Sequence, residues 1–429
     1  MPNSLQTCPD AIVECIAQLL SLEDNCNLRL SCKSLAIKSS HHSFRTFFET
    51  KQVILAPSTL KAFVQGLRAQ DLRSLVRNLH LVAFIDEASD RDPQARTITR
   101  EQETWRPEQQ RLLRQVFIEL AKHAKDGISL TLRSGILKRY IGRFPPKSTS
   151  TWNCATDTFG MVMRELTATK LKIKSLNLFN DSGPNDHSLF CDHLDAFDWN
   201  GRDLVESLLS LKSLSVRMSM QPFPLRDIIQ AATLRRRTLE RQESPRSESS
   251  FTGIANIVRH CPQLENLDII CNTPSPNSWI PRFISDSERI LQHLNDLETL
   301  PVLKCLTICG ICIRAEDLLK FIERTRIREL SIEGVGLTRG AWKPVLDYCT
   351  SEQANMTKLA MDSLHESPTI GGIVHFGPER AQDRVSKPDS RMELQGDEMR
   401  HPITYLVAMG PHVGSPTPWQ LEQPGSSLR

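Results

Sequence analysis

A chain of 429 residues, 39% hydrophobic and 24% charged, has the composition of a globular protein and room for about two to three domains. Its net charge of +3 gives no drive toward nucleic acid or membrane surfaces, and no run approaches the ~20 apolar residues of a membrane span. Twelve cysteines lie without framework spacing, many inside apolar runs; they read as buried thiols of a reducing compartment, cytoplasm or nucleus, rather than as disulfides.

The first elements fall within residues 1–45. Asp10, Glu14 and Glu23 interrupt the apolar residues, so the segment is not a secretory signal. Pro9 suits the first turn of a helix, where its missing N–H costs nothing. Ile12, Ile16, Leu19 and Leu20 form one stripe at i, i+4, i+7 and i+8. Ser21 and Asp24 have capping-box spacing for a second helix carrying Leu28 and Leu30. A short third helix passes through Cys32, Leu35 and Ala36. Helices this short are marginal alone, and ~40 residues bury too little surface for independent stability. The unit is expected to dock on the residues that follow, on another protein, or on both.

The stretch "CPDAIVECIAQLLSLEDNCNLRLSCKSL" resembles an F-box, whose pattern is Leu-Pro, a helix, Asp-Leu, then Leu-Arg and Cys-Lys. Pro9, Ile12, Ile16, Leu20, Asp24, Leu28, Arg29, Cys32 and Lys33 stand in register with it. Cys8 and Asn25 depart from it, standing where Leu and an apolar residue are usual. Through "HHSFRTFFETKQVIL" and beyond, the chain is similar to fungal F-box proteins with leucine-rich-repeat-like bodies. The resemblance implies binding to the Skp-family adaptor of a cullin–RING ubiquitin ligase, and through it to a cullin. It makes Cys8, Pro9, Ile12, Ile16, Leu20, Leu28, Cys32 and Leu35 the adaptor-facing residues, and the body the part that selects a protein client.

The body, residues 46–364, repeats the pattern apolar-x-x-Leu-x-apolar. It reads Val76-Leu79-Leu81, Ile173-Leu176-Leu178, Leu211-Leu214-Val216, Leu264-Leu267-Ile269, Leu303-Leu306-Ile308, Ile327-Leu330-Ile332 and Met356-Leu359-Met361, with "GISLTL" at 127–132 a weaker copy. Leu-x-Leu alternation is a strand period, and helical stretches such as "FTGIANIVRHC" and "AEDLLKFIERT" precede most copies. One strand and one helix per unit is the logic of a leucine-rich repeat. The expected fold class is therefore α/β: a three-helix F-box followed by an irregular solenoid. Residues 86–107, 142–158 and 235–250 read as inserted loops, with a helix at 108–124 between the first two. Residues 365–429 are rich in Pro and Gly and read as a mostly disordered tail.

Three motifs invite chemistry. Cys305, Cys309 and Cys312 have the C-x3-C-x2-C spacing of radical-SAM iron–sulfur enzymes. Cys305 falls inside a repeat strand, however, where Cys serves as a small apolar residue. Gly334, Gly336 and Gly340 approximate a dinucleotide turn, with the third glycine one residue late; a repeat turn, with Thr338 as helix N-cap, explains them as well. Arg235, Arg236, Arg237 and Arg241, beside Ser244-Pro245, read as a nuclear-import patch or a solvated loop. No nucleophile elbow, P-loop or HExxH is present.

The reading is a non-enzymatic substrate receptor with no cofactor, no metal, and neither membrane nor nucleic acid as partner. A repeat scaffold outside any ligase is the second reading and an iron–sulfur enzyme the third. The residues flanking the strand leucines are expected to line one concave face. Lys174, Lys212, Lys304, Arg328 and Lys358 would form a basic stripe there for an acidic client, broken near Glu265.

Overall fold

The computed structural model describes residues 5–39, 42–69, 74–85, 93–124, 126–136, 148–180, 188–219, 251–272, 287–366, 372–376, 390–409 and 421–422. Over these the chain is mixed α/β, with two sheets.

Four short helices open it: α1 (Asp10–Leu19), α2 (Leu22–Ser31), α3 (Lys33–Lys38) and α4 (His42–Glu49). Pro9 holds the N-cap position of α1. Ser21 caps α2, its Oγ accepting from the Asp24 N–H at 3.1 Å, as the spacing predicts. Cys32 is extended, breaks the helix, and caps α3 by accepting from the Leu35 N–H at 3.4 Å.

The main sheet then runs β1 (Thr50–Ile54), β2 (Asn78–Ile85), β3 (Ile128–Ile136), β4 (Ile173–Leu178), β6 (Ser213–Ser219), β7 (Asn266–Asn272), β8 (Cys305–Cys309), β10 (Glu329–Glu333) and β12 (Lys358–Asp362), with the two-residue β5 (Leu189–Phe190) beside β6. These strands pair in parallel. Helices fill the connections: α5 (Pro57–Ala69), α6 (Pro93–Ala121), α7 (Ser148–Thr169), α8 (Cys191–Asp195), α9 (Arg202–Leu208), α10 (Gly253–Arg259), α11 (Arg289–Asn295), α12 (Ala315–Thr325) and α13 (Trp342–Cys349). The Leu-x-Leu pattern explains the stacking. Leu79, Leu130, Leu176, Leu214, Leu267, Leu306, Leu330 and Leu359 are register partners in eight successive strands. Neither they nor the apolar residues two positions on, Leu81 to Met361, are more than 1% exposed. Each such burial stabilises by about 1.5–3 kcal/mol, so slipping a strand by one residue would turn two of these side chains to the other face.

The second sheet starts as a companion to the last units. β9 (Cys312–Arg314), β11 (Gly336–Arg339) and β13 (His365–Glu366) are parallel, and β14 (Gly372–Phe376), β16 (Tyr405–Met409) and β17 (Leu421–Glu422) continue the sheet antiparallel. β15 (Arg391–Gln395) closes the main sheet, antiparallel to β12.

Three expectations are corrected. Helix α6 begins at Pro93 and runs through Pro107, so residues 93–107 are helical rather than loop. Helix α7 begins at Ser148, so residues 148–158 are helical too. The stretch 365–409 contains strands, and Val374, Phe376, Met399 and Tyr405 are buried in the core. Polar composition hid the helices, and the Pro and Gly of the flanking segments hid strands of only five residues. Residues 86–92, 142–147 and 235–250, including the arginine cluster and Ser244, lie outside the described residues.

Candidate functional site

Helix α1 turns Val13 and Ala17 inward, both fully buried. The larger apolar residues beside them are left outside. Ile12 is 51% and Leu19 is 88% exposed, while Ile16 and Leu20 are half-buried. Small Ala17 lets the short helices approach closely, and the bulky stripe then lies over the rim of the unit. Leu30 of α2 and Ile37 of α3 are also exposed. Among the described residues, six of the ten exposed large hydrophobics (Leu5, Ile12, Leu19, Leu22, Leu30 and Ile37) belong to residues 5–37. Gathered in one segment of the chain, they make it a candidate interaction surface.

Of the adaptor-facing residues expected from the sequence, Pro9 and Ile12 are exposed, and Cys8, Ile16, Leu20, Leu28 and Cys32 are half-buried. Leu35 is corrected: it is buried inside the unit at 5% exposure, so it holds the helices together. Leu19, Leu30 and Ile37 take its place outside. The unit is fastened by polar contacts to main-chain carbonyls: Asn25 to Ala17 at 3.0 Å, Arg29 to Ala36 at 3.0 Å and Lys38 to Cys8 at 2.6 Å. Lys38 also pairs with Asp10 at 3.4 Å.

The cationic residues of the body and the polar residues of the strands form two separate rows. Asn177, Ser215, Asp268, Thr307 and Ser331 are register partners, one residue past the leucine ladder and so on the opposite face. Lys174, Lys212, Glu265, Lys304, Arg328 and Thr357 form another row, three residues earlier, where the strands begin. Backbone bonds of 2.6–3.0 Å link each to the next. All but Lys174 precede their strands, so the strand period does not fix the side they face; Ile173 and Leu176, also three apart, are both buried. Lys358 falls in neither row and pairs with Glu329 in register.

The expected basic stripe is also largely neutralised. Glu265 bridges Lys304 at 2.7 Å and Lys212 at 3.6 Å. Lys358 meets Glu393 of β15 at 2.9 Å. Asp268, on the sheet face, is lifted above the ordinary carboxylate range by burial, against the lowering hydrogen bonds of Thr307 and Ser215.

The three spaced cysteines sit on β8 and β9. Burial pushes the Cys309 thiol up to about 11 and the Cys312 thiol up to about 12, and lifts Cys305 as well. A raised thiol disfavours the thiolate that binds metal. Among the described residues no group of three or more His, Cys, Asp or Glu is placed to hold a metal ion. Gly334 and Gly340 take left-handed backbone (φ 60° and 85°) at the two ends of β11. Thr338 is not a helix cap: it lies within β11, its hydroxyl 2.6 Å from Glu288 Oε2, and Ala341 stands at the N-cap of α13. Among the described residues, no helix is long and apolar enough to cross a membrane.

Comparison with protein-family models finds no match to the chain, and comparison with curated proteins finds none either.

Proposed function

We propose that this chain is the substrate-recognition subunit of an F-box-type cullin–RING ubiquitin ligase. The observation that carries the proposal is the concentration of exposed Leu and Ile on the N-terminal helices, which asks for a partner on another chain. That surface would dock the Skp-family adaptor. The in-order parallel pairing of strands, each with its helix, supports reading the body as a leucine-rich-repeat-like solenoid that holds a protein client. In this role the protein itself supplies no reacting group. It acts by raising the effective concentration of the client beside a ubiquitin-loaded enzyme. Size-exclusion chromatography of the full chain with purified adaptor and cullin tests this: a ternary complex supports it, and separate elution at micromolar concentrations overturns it.

A further inference from the structure

The structure assigns a second docking point, at the edge of the main sheet where β8, β10 and β12 begin. There the connections before three successive strands enclose a cleft of about 440 Å³, whose walls include Val302, Glu323, Arg326, Arg328, Tyr348 and Asn355. This deepens the substrate-receptor reading, on which it rests, by giving the client's chemistry: an acidic peptide segment with an apolar residue next to its carboxylate.

The walls are a fixed frame. Arg326 ends α12 in left-handed backbone (φ 52°), its N–H donating to Ile322 O at 3.0 Å. Arg328 donates its N–H to Lys304 O at 3.0 Å, and its carbonyl accepts from Thr357 N at 2.8 Å. Asn355 turns the next connection with a second left-handed residue (φ 50°).

The charges of the cleft are open to a ligand. Nearby Arg324 shows the alternative use of an arginine here, since its guanidinium donates to the carbonyls of Asn295 and Leu297. Among the described residues, Arg326 and Arg328 make no side-chain hydrogen bond or ion pair, and both are exposed. Lys212, Lys304 and Lys358, by contrast, already have carboxylate partners. Glu323 leaves the cleft with one net positive charge, and each of its two arginines carries a planar guanidinium fork, the group suited to holding a carboxylate through paired N–H bonds. Half-buried Tyr348 and the 69%-exposed Val302 supply apolar surface beside them. An amide in place of the carboxylate loses the charge-assisted bonds, and a peptide without an apolar neighbour loses the contact with Tyr348 and Val302.

The test uses the full chain and a fluorescein-labelled peptide, Ala-Phe-Glu-Leu-Ala-amide, with its Gln-for-Glu analogue as control, read by anisotropy. The Glu peptide should bind at least about tenfold more tightly than the Gln analogue. The double variant Arg326→Gln/Arg328→Gln should erase that difference, and Lys174→Gln should leave it intact. Melting temperature and adaptor co-elution, measured on each variant, show that the fold and the N-terminal unit are unaffected and separate this test from that of the ligase assignment. Equal binding of the two peptides, full binding to the double variant, or no binding of the Glu peptide at about 1 mM each overturns the proposal.

Discussion

The side-chain amide of Asn25 donates to the main-chain carbonyl of Ala17 at 3.0 Å, from the middle of α2 back to the last turn of α1. Asn25 is fully buried, and it stands where the F-box pattern has an apolar residue. Its hydrogen bond ties two helices too short to be stable alone. Asn25→Ala should cost about 1–2 kcal/mol, the range for losing a buried hydrogen bond. Asn25→Asp should cost more at neutral pH, because a carboxylate would face a carbonyl without a donor. Amide hydrogen exchange over residues 10–31 checks this; unchanged protection in both variants would mean that the contact contributes nothing.

Asp195, at the end of α8, accepts backbone N–H bonds from Phe251 and Gly253, each at 2.6 Å, and so fastens the chain where α10 begins. Asp195→Ala should destabilise by about 2 kcal/mol, as for a charged acceptor serving orphan helix donors. Desolvation raises the Asp195 carboxyl above its ordinary value, although both backbone donors pull it down. The folded state therefore holds the proton more tightly than the unfolded one. The resulting contribution is full below the unfolded value of about 3.9 and is lost as pH rises through the folded value. Urea melts at pH 4 and pH 7 should show wild type losing stability relative to Asp195→Asn as pH rises; a constant difference would contradict the assignment.

Truncation after Glu366 removes β14, β15, β16 and β17. Val374, Phe376, Met399 and Tyr405 leave the core, and the β12 edge is left unpaired. Tyr405 Oη also accepts from the Lys343 N–H at 3.1 Å, at the start of α13. The loss is on the order of 5 kcal/mol or more, which calorimetry should record as a fall in Tm of about 10 °C or more. An unchanged Tm would show that these strands add no packing to the last unit.

The thiols divide by burial. Cys15 is exposed, while Cys261, Cys271, Cys312 and Cys349 are buried and each is pushed up to about 12. At pH 8 Cys15 should react with a disulfide reagent within minutes, and these four only on unfolding. Mass mapping of labelled peptides decides. Rapid labelling of Cys309 and Cys312 together would reopen a ligand role for them.

The repeat was legible because Leu-x-Leu states the strand period directly: Leu306, Leu330 and Leu359 were visible as equivalent, and they are register partners. The placement of the flanking residues was not, because Lys212 precedes its strand while Ser215 lies within it. In α1 the stripe of Ile12, Ile16 and Leu19 was visible, but its direction was not. Ala17 and Val13 pack inward because the close approach of short helices favours small side chains. The cleft around Arg326 and Arg328 brings together residues of three connections, and no local pattern announces it.

Whether the N-terminal helices dock the adaptor is decided by adaptor binding to an exposed-face variant. Ile12→Glu/Leu19→Glu places charge on side chains that are 51% and 88% exposed, so the fold should survive, as far-UV circular dichroism and Tm will show. Truncating buried interface anchors commonly costs 2 kcal/mol or more each. In a titration against the purified Skp-family adaptor, wild type should bind, and the double variant should bind at least about a hundredfold more weakly. Equal affinity of the two proteins, or no binding by wild type, would contradict the assignment of the N-terminal helices as the adaptor-docking unit.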